Sequence, residues 1–202
     1  MEKKWKIELH GLVLAGGRSS RMGTDKAALV HPDGRTLARR CCDLLGEVGC
    51  ENVVLSLRHD QELPPGFSDL EDVVVARDPE GASQGPLAGM IAAMKLHPDA
   101  DWLVLACDLP RLDLLTLEHL IASKLSADRF LAYRSESDGL PEPLCALYAA
   151  GVLPILVQAS VDGFRCPRKI LIRNECRLLE PLVSRALDNA NTPGDWVAAN
   201  TP

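Results

Sequence analysis

Short apolar runs alternate with longer amphipathic stretches along the first half of the chain. The runs follow turn-forming segments and predict buried strands at residues 7–15, 52–57, 72–76 and 102–107. Between them, residues 36–48 place apolar side chains on one helical face, and residues 86–96 begin with a proline, which is favoured in a first helical turn. Strands that are apolar on both faces and alternate with helices predict a parallel sheet covered on both sides.

The second half of the chain is less regular. Its patterns predict helices at residues 112–126 and 152–159 and strands at 130–134, 143–149 and 176–180. We expect one of these strands to run antiparallel to the others. The expected fold is therefore an α/β, three-layer, Rossmann-like architecture, with a mostly parallel sheet, helices on both faces and an antiparallel strand in the C-terminal half. A length of 202 residues is compatible with a single domain over residues 1–202.

Charge and composition narrow the range of partners. A net charge of −6 argues against nucleic acid or an anionic membrane surface, because both require a basic face. No apolar run reaches the roughly 18 residues that span a bilayer, and the N-terminal apolar stretch is too short for a signal peptide. The seven cysteines show neither a C-x-x-C motif nor zinc-ligand spacing, which is typical of reduced thiols. We therefore expect a cytoplasmic protein.

The candidate chemistry is concentrated in a glycine-rich loop after the first strand, L-A-G-G-R-S-S-R-M-G-T-D-K at residues 14–26. The adjacent Gly16 and Gly17 allow the backbone to approach a phosphate and to turn N–H groups toward it. Arg18, Arg21 and Lys26 add positive charge to the same loop, which in an acidic protein indicates an anionic ligand. The loop matches neither a Walker A motif nor a Rossmann fingerprint. An ordinary strand-to-helix turn with solvated arginines is the alternative.

This loop closely resembles the signature L-A-[GA]-G-x-x-x-R-M-G-x-x-K of the molybdenum-cofactor guanylyltransferases, within the larger family of nucleotide-sugar-type nucleotidyltransferases. Its second glycine resembles the guanylyl rather than the cytidylyl branch. Further motifs follow in the order typical of that family: Q-G-P-L-A-G-M at residues 84–90, C-D-L-P at 107–110, E-P-L-C-A-L-Y at 142–148 and N-A-N-T-P at 189–193.

The resemblance implies transfer of GMP from GTP to the phosphate of molybdopterin (Mo-molybdopterin when the metal is already inserted), giving molybdopterin guanine dinucleotide and pyrophosphate. It implies Mg²⁺ as cofactor, a GTP-binding half at about residues 1–110 and an acceptor-binding half at about residues 111–202. It also implies transient contacts with cofactor-biosynthesis proteins and molybdoenzyme chaperones, and we expect a monomer. The alternatives are a CTP-dependent molybdopterin cytidylyltransferase, a sugar-phosphate nucleotidyltransferase and, from another class, a non-catalytic nucleotide-binding regulator.

Asp108 follows the fourth predicted strand, at the sheet edge where ligands of open α/β folds bind. A carboxylate there suits Mg²⁺, although a helix N-cap is the alternative. The implied catalytic residues are Arg21, Lys26 and Asp108, with Asp108 as the metal ligand. Two interpretations of Ser56 are equally compatible with the sequence: a contact with the nucleotide, or an ordinary serine at the end of a strand. The implied nucleotide-binding residues are Leu14, Ala15, Gly16, Gly17, Lys26, Ser56, Asp78, Gly85, Gly89 and Asp108.

The acceptor-binding residues implied by the resemblance lie in the second half of the chain. They are Glu142, Arg165, Arg168, Asn189 and Asn191. The two arginines belong to a basic cluster that is equally compatible with the polar face of a short helix.

Overall fold

A seven-stranded sheet with helices on both faces organises the molecule. The computed structural model describes residues 8–17, 23–67, 73–78 and 85–199. The strands of the described residues are β1 (Leu9–Leu14), β2 (Val53–Leu57), β3 (Val73–Arg77), β4 (Asp101–Ala106), β5 (Phe130–Arg134), β6 (Pro141–Tyr148) and β7 (Arg177–Leu179). Their α-helices are α1 (Leu37–Glu47), α2 (Pro86–Met94), α3 (Leu114–Ala122), α4 (Leu153–Val161), α5 (Pro167–Arg173) and α6 (Pro193–Ala199).

The strand order is β3-β2-β1-β4-β6-β5-β7. Strand β6 runs antiparallel to both of its neighbours, and the other pairings are parallel. The carboxyl ends of β1 to β4 therefore lie at one edge of the sheet, and the amino end of β6 lies at the same edge. The predicted architecture is confirmed, including the antiparallel strand in the C-terminal half.

Two apolar cores form because successive side chains of a buried strand point to opposite faces. In β1, Leu12 belongs to the core beneath α2, α4 and α5, whereas Val13 belongs to the core beneath α1 and α3. Both side chains are fully buried. The apolar character of the strands on both faces is thus explained by helices packed on each side.

Side-chain caps set where two of the helices begin. Thr36 Oγ1 accepts a hydrogen bond from the Arg39 N–H at the start of α1, and Asp113 caps α3 by accepting from the Thr116 N–H at 2.8 Å. The predicted helix over residues 112–126 is longer than α3. Its last part is instead a turn in which Asp128 Oδ2 accepts from the Leu125 N–H at 2.8 Å.

The C-terminal helix α6 was not predicted from the sequence. It contains no buried residue, so it lacks the apolar periodicity from which a helix is recognised. Its start is fixed by polar groups, because Asp195 Oδ2 accepts from the N–H groups of Asn191 and Thr192. Among the described residues, no helix is both long and apolar enough to cross a membrane.

Candidate active site

Four of the predicted site residues lie along one edge of the sheet, where β1 to β4 end. Leu14 and Ser56 are register partners in β1 and β2, and Asp78 follows β3, its N–H donating to the carbonyl of Leu57 at 3.0 Å. Asp108 lies two residues beyond the end of β4. This is the edge where open α/β sheets bind ligands.

The loop after β1 has its carbonyl groups held by two side chains that were not predicted. Arg58 Nη1 donates to the carbonyls of Gly16 and Gly17 at 3.1 and 3.0 Å, and Gln61 Nε2 donates to the carbonyl of Ala15 at 2.9 Å. Because the C=O and the following N–H of a trans peptide point in opposite directions, these bonds turn the N–H groups of Gly16 and Gly17 away from Arg58 and Gln61. Within the described part of the chain, neither N–H has a hydrogen-bond partner. The loop therefore presents two donors suited to an anion.

A further layer of contacts fixes these two side chains. Arg77 Nη1 donates to the backbone carbonyls of Arg58 and Gln61. Asp25 accepts from Gln61 Nε2 at 2.7 Å and, through its other oxygen, from the Ala27 N–H at 3.0 Å. The one sequence signal for this support was the position of Arg58 directly after β2, at the ligand edge of the sheet.

Lys26 lies between two of the predicted motifs. Its Nζ donates to Asp108 Oδ2 at 2.8 Å and to Asn191 Oδ1 at 2.7 Å. The side chains of Lys26 and Asp108 are only 15% and 19% exposed, so their ion pair is partly shielded from solvent. The N-cap alternative for Asp108 does not hold, because Asp113 caps the helix that follows.

Asp108 offers a carboxylate oxygen that suits a magnesium ion. Its Oδ1 has no hydrogen-bond partner among the residues described, while Oδ2 accepts from Lys26. Mg²⁺ is commonly bound by one carboxylate together with waters and substrate phosphates, which this arrangement permits. In the described ranges, a cluster of Glu8, His10 and His97 also offers possible metal ligands, but it lies at the opposite, amino end of β1. Imidazole nitrogens suit zinc or copper rather than magnesium.

Asp78 carries an unsatisfied buried acceptor. Its Oδ1 is buried without a hydrogen-bond partner in the described structure. Burial raises the pKa of the Asp78 carboxyl, and the nearby Arg58 acts in the opposite direction. An unpaired buried carboxylate oxygen is costly in the free protein, and a ligand that donates hydrogen bonds would remove that cost.

Gly85 and Gly89 have structural reasons for lacking a side chain. A Cβ atom at Gly89 would lie 2.4 Å from Ser56 Oγ and 3.1 Å from Leu14 Cδ2, so the glycine allows α2 to pack on the ends of β1 and β2. Gly85 has φ of +136° at the N-cap of α2, a conformation that favours glycine. Both residues thus bring the start of α2 to the ligand edge.

A cavity of about 370 Å³, here called the Glu142 cavity, brings together four of the five predicted acceptor residues. Arg168 donates to Glu142 Oε2 at 3.1 Å and to Asp138 Oδ2 at 2.7 Å. Burial raises the pKa of Glu142, while Arg168 opposes that shift. The four residues in its lining are Glu142, Arg168, Asn189 and Asn191.

The remaining predicted residues lie elsewhere. Arg165 is not part of the lining of the Glu142 cavity; its carbonyl lies 3.6 Å from the Cβ position of Gly85. In the same basic cluster, Arg173 stacks on the ring of Phe164. Arg21, predicted as catalytic, lies outside the described residues, as does Arg18.

Comparison with known proteins gives a consistent family. The model of the MobA-like NTP transferase domain matches residues 11–177. A molybdenum cofactor guanylyltransferase of Pseudomonas putida is 32% identical over 90% of this chain and 92% of its own length. A molybdenum cofactor biosynthesis bifunctional protein of Synechocystis sp. is 35% identical over 95% of this chain. The chain spans only 54% of that longer relative.

Solved structures share the fold. Molybdopterin-guanine dinucleotide biosynthesis protein A from Archaeoglobus fulgidus superposes with a TM-score of 0.72 at 24% identity, covering 95% of this chain and 96% of that one. A nucleotidyl transferase from Methanothermobacter gives a TM-score of 0.77 at 18% identity, covering 97% of each chain. Together with the match over most of the sequence, these results show that the chain belongs to the MobA-like NTP transferase family and is an enzyme of the nucleotidyltransferase class.

Proposed function

We propose that the protein transfers GMP from GTP to the phosphate of molybdopterin, giving molybdopterin guanine dinucleotide and pyrophosphate. The observation that carries this proposal is the position of Lys26, which contacts both Asp108 at the strand ends and Asn191 in the Glu142 cavity. One cation between two candidate substrate sites suits a reaction that joins two phosphorylated molecules. The similarity to molybdenum cofactor guanylyltransferases supports the choice of nucleotide and acceptor.

The triphosphate binds at the loop after β1. The N–H groups of Gly16 and Gly17 donate hydrogen bonds to phosphate oxygens. Lys26 and Arg21 neutralise the negative charge of these oxygens. Asp108 would hold Mg²⁺, and the bound ion would supply positive charge that neutralises the phosphate oxygens.

Asp78 selects the base. A carboxylate accepts two hydrogen bonds from guanine, one from N1–H and one from the 2-amino group, whereas cytosine and adenine each offer a single amino group for such a contact. The buried, unpaired Asp78 Oδ1 supports this role and favours GTP over CTP.

The transfer step requires positioning more than proton chemistry. The acceptor phosphate is already ionised near neutral pH, so no general base is needed to activate it. One of its oxygens forms a bond to the α-phosphorus of GTP, and the bond from that phosphorus to the bridging oxygen breaks with loss of pyrophosphate. Lys26 reduces the repulsion between the two anions as they approach.

The acceptor binds in the Glu142 cavity. Glu142 accepts hydrogen bonds from N–H groups of the pterin. Arg168, Asn189 and Asn191 donate hydrogen bonds to the oxygens and the phosphate of the molybdopterin. On this assignment residues up to about 110 form the nucleotide half of one domain, and residues from about 111 onward form the acceptor half.

Pyrophosphate release tests the proposal directly. The protein is mixed with Mg²⁺ and GTP, CTP, ATP or UTP, with and without molybdopterin. We expect release only with GTP and molybdopterin together. Pyrophosphate release with CTP would show that the base is cytosine and not guanine. A lack of release despite tight GTP binding would favour a non-catalytic regulator.

A further inference from the structure

A second, more basic pocket opens beside the Glu142 cavity. This pocket, here called the Arg40 pocket, has a volume of about 560 Å³. It shares Arg111, Arg185, Ala198 and Ala199 with the Glu142 cavity, but its lining contains none of Lys26, Asp108 or the loop glycines. Its lining includes His31, Arg40, Arg111 and Arg185 with the small residues Ala198 and Ala199.

Arg40 is a buried cation with unused donors. Its side chain is 12% exposed, and only Nη2 makes a hydrogen bond, to the carbonyl of Leu112 at 2.6 Å. Its Nε and Nη1 are buried without hydrogen-bond partners. The nearest carboxylate oxygen, Asp33 Oδ2, lies 3.4 Å from Nε, but it also pairs with Arg35 at 2.8 Å and lies 3.1 Å from His31 Nδ1. One carboxylate shared in this way leaves the charge of Arg40 poorly compensated.

Arg111 adds a second cation whose partners are neutral. Its Nε and Nη2 donate to the backbone carbonyls of Ala199 and Ala198 at 3.2 and 2.7 Å. Within the described residues it has no carboxylate partner. Arg185 is exposed and paired with Asp188. The pocket therefore holds two ordered guanidinium groups: that of Arg111, which has no carboxylate partner among the described residues, and that of Arg40, whose partner Asp33 also pairs with Arg35. Arg185 adds a third guanidinium group to the same lining.

We propose that the Arg40 pocket binds a phosphate-type dianion, either inorganic phosphate or the phosphate group of a small ester. The planar forks of guanidinium groups match the oxygens of such an anion and form charge-assisted hydrogen bonds with them. The backbone carbonyls that hold Arg40 and Arg111 order both groups in advance, which reduces the entropy lost on binding. The bound anion lies next to the acceptor cavity and separate from the triphosphate loop.

Phosphate titration of the full chain, followed by calorimetry without nucleotide or metal, tests this site. Arg40→Gln and Arg185→Gln should each weaken phosphate binding about tenfold or more. Arg185 does not anchor backbone, so its variant keeps the test valid if Arg40→Gln fails to fold. Arg129→Gln is the matched control, because Arg129 is exposed and lines neither cavity, and should leave binding unchanged.

Two comparisons complete the experiment. Phosphate binding should survive in Lys26→Ala, since Lys26 belongs to the triphosphate site. If affinity falls in Lys26→Ala but not in the Arg40 and Arg185 variants, the proposal is wrong. Titration with glycerol phosphate identifies the source of the anion: tighter binding than inorganic phosphate indicates an ester ligand, and equal or weaker binding indicates free phosphate.

Discussion

Individual side chains at this site act mainly by orienting backbone groups. Gln61 is not among the predicted substrate-binding residues. Its bond to the Ala15 carbonyl nevertheless fixes the direction of the Gly16 N–H. Arg58 does the same for Gly17. The sequence motif identifies the glycines but not Arg58 and Gln61, the side chains that orient the glycine N–H groups. These two residues lie in a separate loop that matches no recognisable motif.

Gln61→Ala should therefore lower kcat/KM for GTP by about tenfold, because the Gly16 N–H loses its fixed direction. The KM for the acceptor should stay near its original value. Steady-state kinetics with each substrate varied in turn checks this. Gln158→Ala is the control, since Gln158 is exposed and hydrogen-bonded only to Asp162. An equal loss toward both substrates would indicate general destabilisation instead.

Asp78 should show opposed effects on stability and binding. Burial raises its pKa above 3.8, so the folded protein binds a proton more readily than the unfolded chain. The stabilising contribution is complete below about pH 3.8 and is lost as pH rises through the folded pKa. At neutral pH, Asp78→Asn should thus raise the melting temperature of the free protein while weakening GTP binding about tenfold or more.

Thermal melts of both proteins between about pH 4 and pH 7 measure the stability effect. The advantage of Asp78→Asn should grow with pH over the range in which the Asp78 carboxyl ionises. A constant or shrinking difference would contradict the assigned cause of the pKa shift. Calorimetric titration with GTP supplies the binding half of the comparison.

At the level of elements, the strands were predicted most accurately. Buried strands such as β2 and β4 consist of apolar residues bounded by polar ones, and their observed ends lie within one residue of the prediction. Helix α6 has no buried residue, and α3 ends before the turn formed by Asp128. Packing and local polar contacts, rather than periodicity, determine these boundaries.

The same distinction applies to the sites. Residues at strand ends, such as Asp78 and Asp108, could be expected at one sheet edge because parallel strands share their direction. The Arg40 pocket could not be predicted, since its basic residues come from four separate chain segments. The bond from Arg40 to the Leu112 carbonyl and the bonds from Arg111 to the carbonyls of Ala198 and Ala199 hold these segments together.

The loop after β1 and helix α2 contain glycines with different functions, which substitution should separate. A Cβ atom at Gly17 would meet nothing within 4 Å, so Gly17→Leu should fold normally and block GTP through its bulk. Gly89→Ala would press on Ser56 Oγ and should destabilise the protein by about 1–3 kcal/mol. Melting temperatures and GTP affinities of the two variants check this. A Gly17→Leu protein that binds GTP as tightly as the parent would contradict the loop assignment.

Across the whole molecule, Lys26 connects Asp108 at the strand ends with Asn191 in the Glu142 cavity. Asn191→Ala should raise the KM for the acceptor about tenfold and also weaken GTP binding by a smaller factor, because Lys26 loses one of its anchors. Calorimetry with GTP alone isolates the second effect. Asn189→Ala is the matched control, since Asn189 lines the same cavity without contacting Lys26, and should leave GTP affinity unchanged. Identical GTP affinities for both variants would exclude this coupling.

The reversed direction of β6 also separates the two proposed substrate sites along the chain. Asp78 and Asp108 come after the ends of their strands, whereas Glu142 lies at the beginning of β6. Because β6 is antiparallel to β4, its beginning lies at the same edge of the sheet. The loop that leads into β6, residues 135–140, therefore borders the Glu142 cavity, our proposed acceptor site, and not the loop after β1. Insertions there can change which acceptor fits without disturbing β1 to β4. Specificity for the acceptor can therefore change during evolution while the proposed nucleotide site at the ends of β1 to β4 stays the same.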